Sequence, residues 1–249
     1  MHVLVTGSAG VIGTAVVSHL RGQGDRVRGF DLKPTGGCDS TVVGNITDLA
    51  SLEQAMDGIE AVVHLAAIVN DAPMAELLGP NFLGPSNVFE AARLAGVQRV
   101  VLASSIQTVC DRQGKVLTTT RRPCNNYGAS KCFAEDLGTV YHRKHQIDVI
   151  SVRVGFVVRN MAEVMRMING NHYGIYLSAN DVGRFFYQAV HAPFSGNLTV
   201  YAVGPAGSEH FDMEPAREFL GFEARDVWPS GLGFELPADL ECFEELAPS

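Results

Sequence analysis

The chain has 249 residues, 46% of them hydrophobic and 18% charged, which suits one well-buried α/β domain with a smaller lobe and is too short for two large domains. Its formal net charge of −8 repels phosphate backbones, and Arg121-Arg122 is too short a basic run to reverse that, so nucleic acid is not expected as a partner. No apolar run reaches the roughly eighteen residues of a membrane span, and the amino end opens on a strand rather than on a signal peptide, so a cytoplasmic protein without membrane association is expected.

Apolar runs alternate with amphipathic stretches. Val3–Val5 reads as a strand, followed by a glycine-rich turn and a helical pattern at 14–23. Val27–Phe30 and Val42–Val43 read as strands, 51–57 as a helix, and Ala61–Leu65 as the next strand. A helix over 84–95 ends at Gly96, where a left-handed cap is expected, and the strand Val100–Ala103 follows directly. A long helix over 128–145 and the strand Val149–Val154 complete the series. Such alternation implies an α/β, Rossmann-type doubly wound parallel sheet covered on both faces, with right-handed crossovers.

Beyond residue 155 the alternation weakens. Arg159–Tyr176 reads as a helix and an irregular loop facing substrate, Asp181–Val190 as a helix, Leu198–Val203 as a late strand, Glu214–Leu220 as a short helix, and Leu236–Ser249 as an acidic peripheral extension. The expected division is therefore a nucleotide-binding domain at 1–155 and a small substrate lobe at 156–249 interleaved with late sheet elements.

The five cysteines (Cys38, Cys110, Cys124, Cys132, Cys242) are odd in number, scattered and without a Cys-x-x-Cys pair, so reduced thiols are expected rather than disulfides or zinc. His142 and His145 lie three apart on a helix without a third ligand nearby, and no metal is assigned.

The stretch "LVTGSAGVIGTAVV" places Gly7, Gly10 and Gly13 between a strand and a helix. In such a unit the first glycine permits the sharp turn, the second lets a diphosphate approach the backbone, and the third lets helix and strand pack closely. The helix amino end then offers free N–H groups and a positive dipole to the phosphates. Asp31 ends the second strand, where a carboxylate can accept from both hydroxyls of an adenosine ribose and repel a 2′-phosphate, which favours NAD over NADP. Alone, the glycines fit a structural turn and Asp31 a solvated strand end.

"NNYGASKCFAEDL" puts Tyr127 and Lys131 four apart, on one face of a helix that starts there. A phenol of ordinary pKa near 10 is a poor base at neutral pH, and an adjacent ammonium together with a positive nicotinamide ring is expected to lower that value. Ser105 ends the strand Val100–Ala103 with Ser104, at the carboxyl edge where doubly wound folds bind ligands, and its hydroxyl can orient a reacting oxygen.

With "TGSAGVIG", Asp31, "GNITD", "VVHLAA", Asn81, "ASS" and "YGASK" in this order over the first 155 residues, the chain resembles the extended short-chain dehydrogenases/reductases, the NAD-dependent epimerase/dehydratase group. The resemblance implies Ser105, Tyr127 and Lys131 as a catalytic triad, with Lys131 also holding the nicotinamide ribose. It implies cofactor-binding positions at Gly7, Ala9, Gly10, Val11, Ile12 and Gly13, at Asp31 and Leu32, at Asn45 and Ile46 beside the adenine, at Leu65, Ala66 and Ala67, and at Asn81 and Ser104. The family more often carries Asp where Asn45 stands. A homodimer paired through the helices at 84–95 and 128–145 is a further implication, Val88, Phe89, Phe133 and Leu137 being apolar residues there that equally suit a core.

Within that group the chain is most similar to uronate dehydrogenases, through "YGASKCFAEDL", "LSANDVGRFFYQAVHAP" and "FLGF". The likeness implies a small-molecule substrate meeting Val69, Ile106, Gln107, Phe156 and Arg166. Ile106-Gln107 stands where that subgroup has Asn-His, and Val69 and Phe156 replace small serines, so partners for sugar hydroxyls are missing. Arg166 corresponds to a carboxylate-binding arginine or to an ordinary exposed helix residue. Three functions stay open: an NAD-dependent dehydrogenase or reductase acting on a sugar, sugar acid or hydroxy acid, an epimerase or dehydratase with tightly held NAD, and a cofactor-binding regulator without catalysis. A dehydratase wants acidic residues after the serine, which Ile106-Gln107 does not supply.

Overall fold

The computed structural model describes residues 1–69, 71–110, 114–170 and 172–236. Among them seven strands, β1 (His2–Thr6), β2 (Arg26–Asp31), β3 (Ser40–Val43), β4 (Ala61–His64), β5 (Arg99–Ser105), β6 (Asp148–Val154) and β7 (Asn197–Ala202), form one parallel sheet in the order β3-β2-β1-β4-β5-β6-β7. Successive side chains of a strand point to opposite faces. Val3 and Val5 therefore enter one core and Leu4 the other, as do Ala61 and Val63 against Val62. Both faces are dry, which is why these strands read as unbroken apolar runs.

Helices α1 (Val11–Gly22), α7 (Ala179–His191) and α8 (Glu214–Leu220) cover the first face with Val16, Leu20, Phe185, Phe186 and Leu220. Helices α2 (Leu49–Ala55), α4 (Gly84–Leu94) and α5 (Asn126–His145) cover the second, where Leu52, Val88 and Phe89 are fully buried and Leu137 partly so. Phe133 stays 36% exposed. Caps set the starts: Asp48 accepts from Ala50 N at 3.1 Å, Asn125 from Gly128 N at 2.8 Å, and Ser178 from Asp181 N at 2.9 Å. Gly96 closes α4 with φ +71°, as the sequence suggests.

The strands and helices expected from periodicity are all present, with shifted ends. α1 starts at Val11, directly after Gly10, rather than at 14. A short helix α3 (Met74–Leu77) and a π-type turn (Leu78–Leu83) precede α4 and carry no periodicity long enough to be read. After β6, α6 (Met161–Asn169) and a 3₁₀ turn (Tyr173–Ile175) form the expected helix and irregular loop, packed with Trp228, Leu232, Phe234 and Leu236. Of the acidic extension, only Leu236 falls within the described residues. Among these no helix is long and apolar enough to cross a membrane.

One expectation is overturned. Cys110 and Cys124 form a disulfide, their Cα atoms 4.7 Å apart. Cys110 N donates to Arg122 O and Cys124 N to Gln107 O, so the chain doubles back and brings the two residues opposite each other. Their separation of 14 in sequence shows nothing of that return path. Cys38 and Cys132 are free thiols, and Cys242 lies outside the described residues. His142 and His145 are engaged separately, His142 with Ile147 O and His145 with the Tyr141 ring.

Candidate active site

A cleft of about 430 Å³ runs along the carboxyl ends of β1, β2, β4, β5 and β6. It lies where the strand order reverses: β2 and β3 extend to one side of β1, and β4 to β7 to the other. At one end the glycine turn forms its wall. Gly7 takes φ +73°, and a Cβ there would stand 2.6 Å from Ala66 N; a Cβ on Gly13 would stand 2.2 Å from Gly7 O. A Cβ on Gly10 would meet only Gly7 O, at 3.2 Å, and Gly10 lines the cleft with Val11, Ile12 and Gly13. No side chain caps α1, so the N–H groups of its first turn remain for an anion, a ready cradle for a diphosphate.

Asp31 borders the same end. Its Oδ2 accepts from Ala9 N at 3.0 Å and its Oδ1 from Lys33 N at 3.2 Å. Ala9 itself does not line the cleft; it orients Asp31. Leu32 is exposed at the rim, and Asn45, Ile46, Leu65, Ala66 and Ala67 continue the wall. Asn45 Oδ1 accepts from Thr47 N at 3.0 Å, and Asn87 Nδ2 donates to Ile46 O at 3.1 Å, which holds this loop in place. A phosphate cradle, an acidic ribose partner and an apolar adenine wall fit a nicotinamide adenine dinucleotide.

At the other end Ser105, Tyr127 and Lys131 all line the cleft. Ser105 opens a 3₁₀ turn (Ile106–Thr108), and its Oγ accepts from Gln107 N at 3.1 Å. Tyr127 is buried and shares the cleft wall with Ser105. Gly128 lets α5 approach this turn, since a Cβ there would stand 2.1 Å from Gln107 O. One turn on, Lys131 Nζ donates to Ala103 O at 2.8 Å and lies 5.6 Å from the Tyr127 ring centre.

Charge follows burial here. Burial pushes the Tyr127 phenol up to about 12, against the lowering influence of the Ser105 hydroxyl and the field of Arg159. The expected lowering is thus absent in the chain by itself, and Arg159 is a further cation acting on the phenol. Burial also brings the Lys131 ammonium down to about 8, while Glu135 acts the other way. His64, buried and hydrogen-bonded to Thr6 Oγ1 at 2.7 Å, is held at about 3 by burial and Lys131, so its ring is neutral.

Behind α5, Glu135 receives Arg153 Nε and Nη2, both at 2.9 Å, and Ser104 Oγ at 2.6 Å. Arg153 also donates to Thr120 O and Tyr201 Oη. This buried network locks β5, β6 and α5 together beneath the site, and it commits the Ser104 hydroxyl proton to Glu135.

Three further site residues named from sequence lie elsewhere. Asn81 is buried in the π-type turn, exchanging hydrogen bonds with Ile68 N and O and donating to Ser130 Oγ, so it ties the β4 loop to α5 rather than lining the cleft. Ile106 is buried with Val109, Val116 and Phe211. Arg166 is exposed on α6, its guanidinium 5.7 Å from the Phe156 ring centre and outside the cleft wall. Val69, Gln107 and Phe156 do line it, as does Arg159, which sequence reasoning missed. Its position a few residues past the end of β6, at the ligand-binding edge of the sheet, is the signal that pointed to it.

A family model described as the NAD dependent epimerase/dehydratase family matches residues 3–204. The chain is 28% identical over 230 residues to a uronate dehydrogenase from Pseudomonas putida, covering 90% of this chain and 83% of that protein. It is 31% identical over 252 residues to an NAD-dependent glucose-6-phosphate dehydrogenase from Haloferax volcanii, covering 90% and 93%. The fold is similar to that of a mutant uronate dehydrogenase from Agrobacterium tumefaciens in complex with NAD, with a TM-score of 0.79 and 26% identity over 99% of this chain and 88% of that one.

Proposed function

The chain belongs to the NAD-dependent epimerase/dehydratase family, and on that premise we propose that it is a dehydrogenase that oxidises a hydroxyl-bearing carbon of a sugar, sugar acid or hydroxy acid. The observation that carries this reading is a buried tyrosine beside a serine at the opposite end of one cleft from an uncapped helix start and a strand-end carboxylate. The relatives named above are dehydrogenases of small polar molecules.

When bound, NAD supplies the two-electron chemistry by accepting hydride from the substrate carbon. The remaining work falls to side chains. Tyr127 Oη takes the hydroxyl proton, and Ser105 Oγ, already accepting from Gln107 N, aligns the reacting oxygen. Because burial alone favours the neutral phenol, positive charge has to offset it. Arg159 supplies part of that charge, and Lys131, pinned to Ala103 O, keeps an ammonium under the same end of the cleft. Gly7, Gly10 and Gly13 seat the diphosphate and Asp31 the ribose. The same reading includes a homodimer through α4 and α5, which expose Leu94, Phe133 and Val140.

The test is absorbance at about 340 nm, where the reduced cofactor absorbs, on mixing protein, NAD and a panel of sugars, sugar acids and hydroxy acids. Stoichiometric reduction with a panel member supports the proposal. Product formed without net reduction moves the chain to epimerase or dehydratase chemistry.

A further inference from the structure

The Cys110–Cys124 disulfide stands beside the reacting end of the cleft. After Ser105 the chain turns through Ile106–Thr108, Thr108 Oγ1 donating to Ser105 O at 2.8 Å, and then meets the segment that leads into α5. There Cys110 N donates to Arg122 O at 2.8 Å, Arg122 N to Thr108 O at 2.9 Å and Cys124 N to Gln107 O at 3.0 Å. Cys124 directly precedes Asn125, the cap of α5, whose Oδ1 accepts from Gly128 N at 2.8 Å and whose Nδ2 donates to Gln107 Oε1 at 2.7 Å. Tyr127 follows two residues later. The disulfide therefore closes this run of hydrogen bonds with a covalent link between the segment that carries Ser105 and the segment that carries Tyr127.

Both cysteines are exposed, as are residues 121–124, so a thiolate in solution reaches the sulfurs, and water competes for the backbone hydrogen bonds once the covalent link is open. Cys38 and Cys132 differ. Each is partly buried, and burial pushes its thiol up, which withholds the thiolate that exchange requires. We propose that Cys110–Cys124 is a reversible thiol–disulfide exchange site with a dithiol as its reductant, its oxidised form holding Ser105 and Tyr127 in register and its reduced form loosening them. One thiolate of the dithiol attacks a cysteine Sγ, and the other cysteine leaves as a thiolate and takes a proton. The second thiolate of the reductant then closes on its own first sulfur, releasing the remaining cysteine, which is protonated in turn. Two electrons and two protons pass to the cysteines, and the dithiol becomes a disulfide. The nucleotide end of the cleft is built from other segments and keeps its geometry. The effect on turnover rests on the dehydrogenase reading, whereas the exchange site itself does not.

The experiment compares the protein oxidised with diamide and reduced with dithiothreitol. Peptide mapping should find Cys110 joined to Cys124 in the first state and both free in the second. Amide hydrogen exchange should be at least about tenfold faster in the reduced protein over residues 107–110 and 122–128, and within about twofold over residues 3–31. With a substrate from the panel, kcat should fall about threefold to tenfold on reduction and recover on reoxidation, while NADH affinity stays within about twofold. Cys110→Ser and the double variant Cys110→Ser/Cys124→Ser should match the reduced protein under both treatments, and Cys38→Ser should keep the response. Absence of the linked pair after oxidation, equal hydrogen exchange in the two states, a kcat indifferent to redox state, or a response that survives in the double variant overturns the proposal. Hydrogen exchange that responds as expected, without cofactor reduction by any panel member, leaves the redox site standing and removes the dehydrogenase reading.

Discussion

The two ends of the cleft are built by different means. The nucleotide end is made mostly of backbone: three glycines, the N–H groups of an uncapped helix, and one carboxylate oriented by Ala9 N and Lys33 N. The reacting end is made of side chains drawn from three separate stretches, the β5 end with its 3₁₀ turn, the start of α5, and the loop after β6, and it rests on the buried Glu135–Arg153 network. A backbone site depends on what residues lack, a side-chain site on what they carry. The first therefore suits a ligand of constant shape, and the second can change from one sequence to the next without altering the fold.

Tyr127→Phe separates the two ends most sharply. Turnover should fall by about three orders of magnitude while NADH binding, followed by its fluorescence, stays within about twofold. If both fall together, the two ends are not separable. Glu135→Gln should come next in size, because it leaves the Arg153 guanidinium buried without a counter-charge; a loss of about 3 kcal/mol in denaturant unfolding is expected, and a smaller one for Glu90→Gln in the half-buried Arg93 pair.

Gly13→Ala perturbs the nucleotide end instead. Its added Cβ would meet Gly7 O, so NADH should bind about tenfold to a hundredfold more weakly, with circular dichroism of the sheet retained. Asp31→Asn should cost less, reducing the preference for NAD over NADP by about tenfold in paired titrations.

The smallest effect concerns pH. The buried His64 ring has its folded pKa depressed to about 3 from 6.5, so between those values the unfolded chain binds more protons and stability falls as pH drops through that window. His64→Gln should flatten that acid limb in thermal melts from pH 7 to pH 4. An unchanged acid limb would mean that His64 is not the group responsible.

What the residues reveal without a fold follows the same division. The alternation of strand and helix, the dry parallel sheet, the glycine cradle and the Asp31 position were legible because they rest on short-range periodicity and on backbone geometry within a few residues. The spacing of Tyr127 and Lys131 was legible for the same reason, since one helical turn brings them to one face. The choice of Arg159 over Arg166 for the cleft wall, the placing of Asn81 behind it, and the pairing of Cys110 with Cys124 were decided only by the tertiary structure. So was the raised phenol of Tyr127. The physical reason is common to all four: which way a side chain faces, what it meets and how much water it keeps depend on segments distant in the chain, and desolvation and electrostatic fields exist only once those segments have packed.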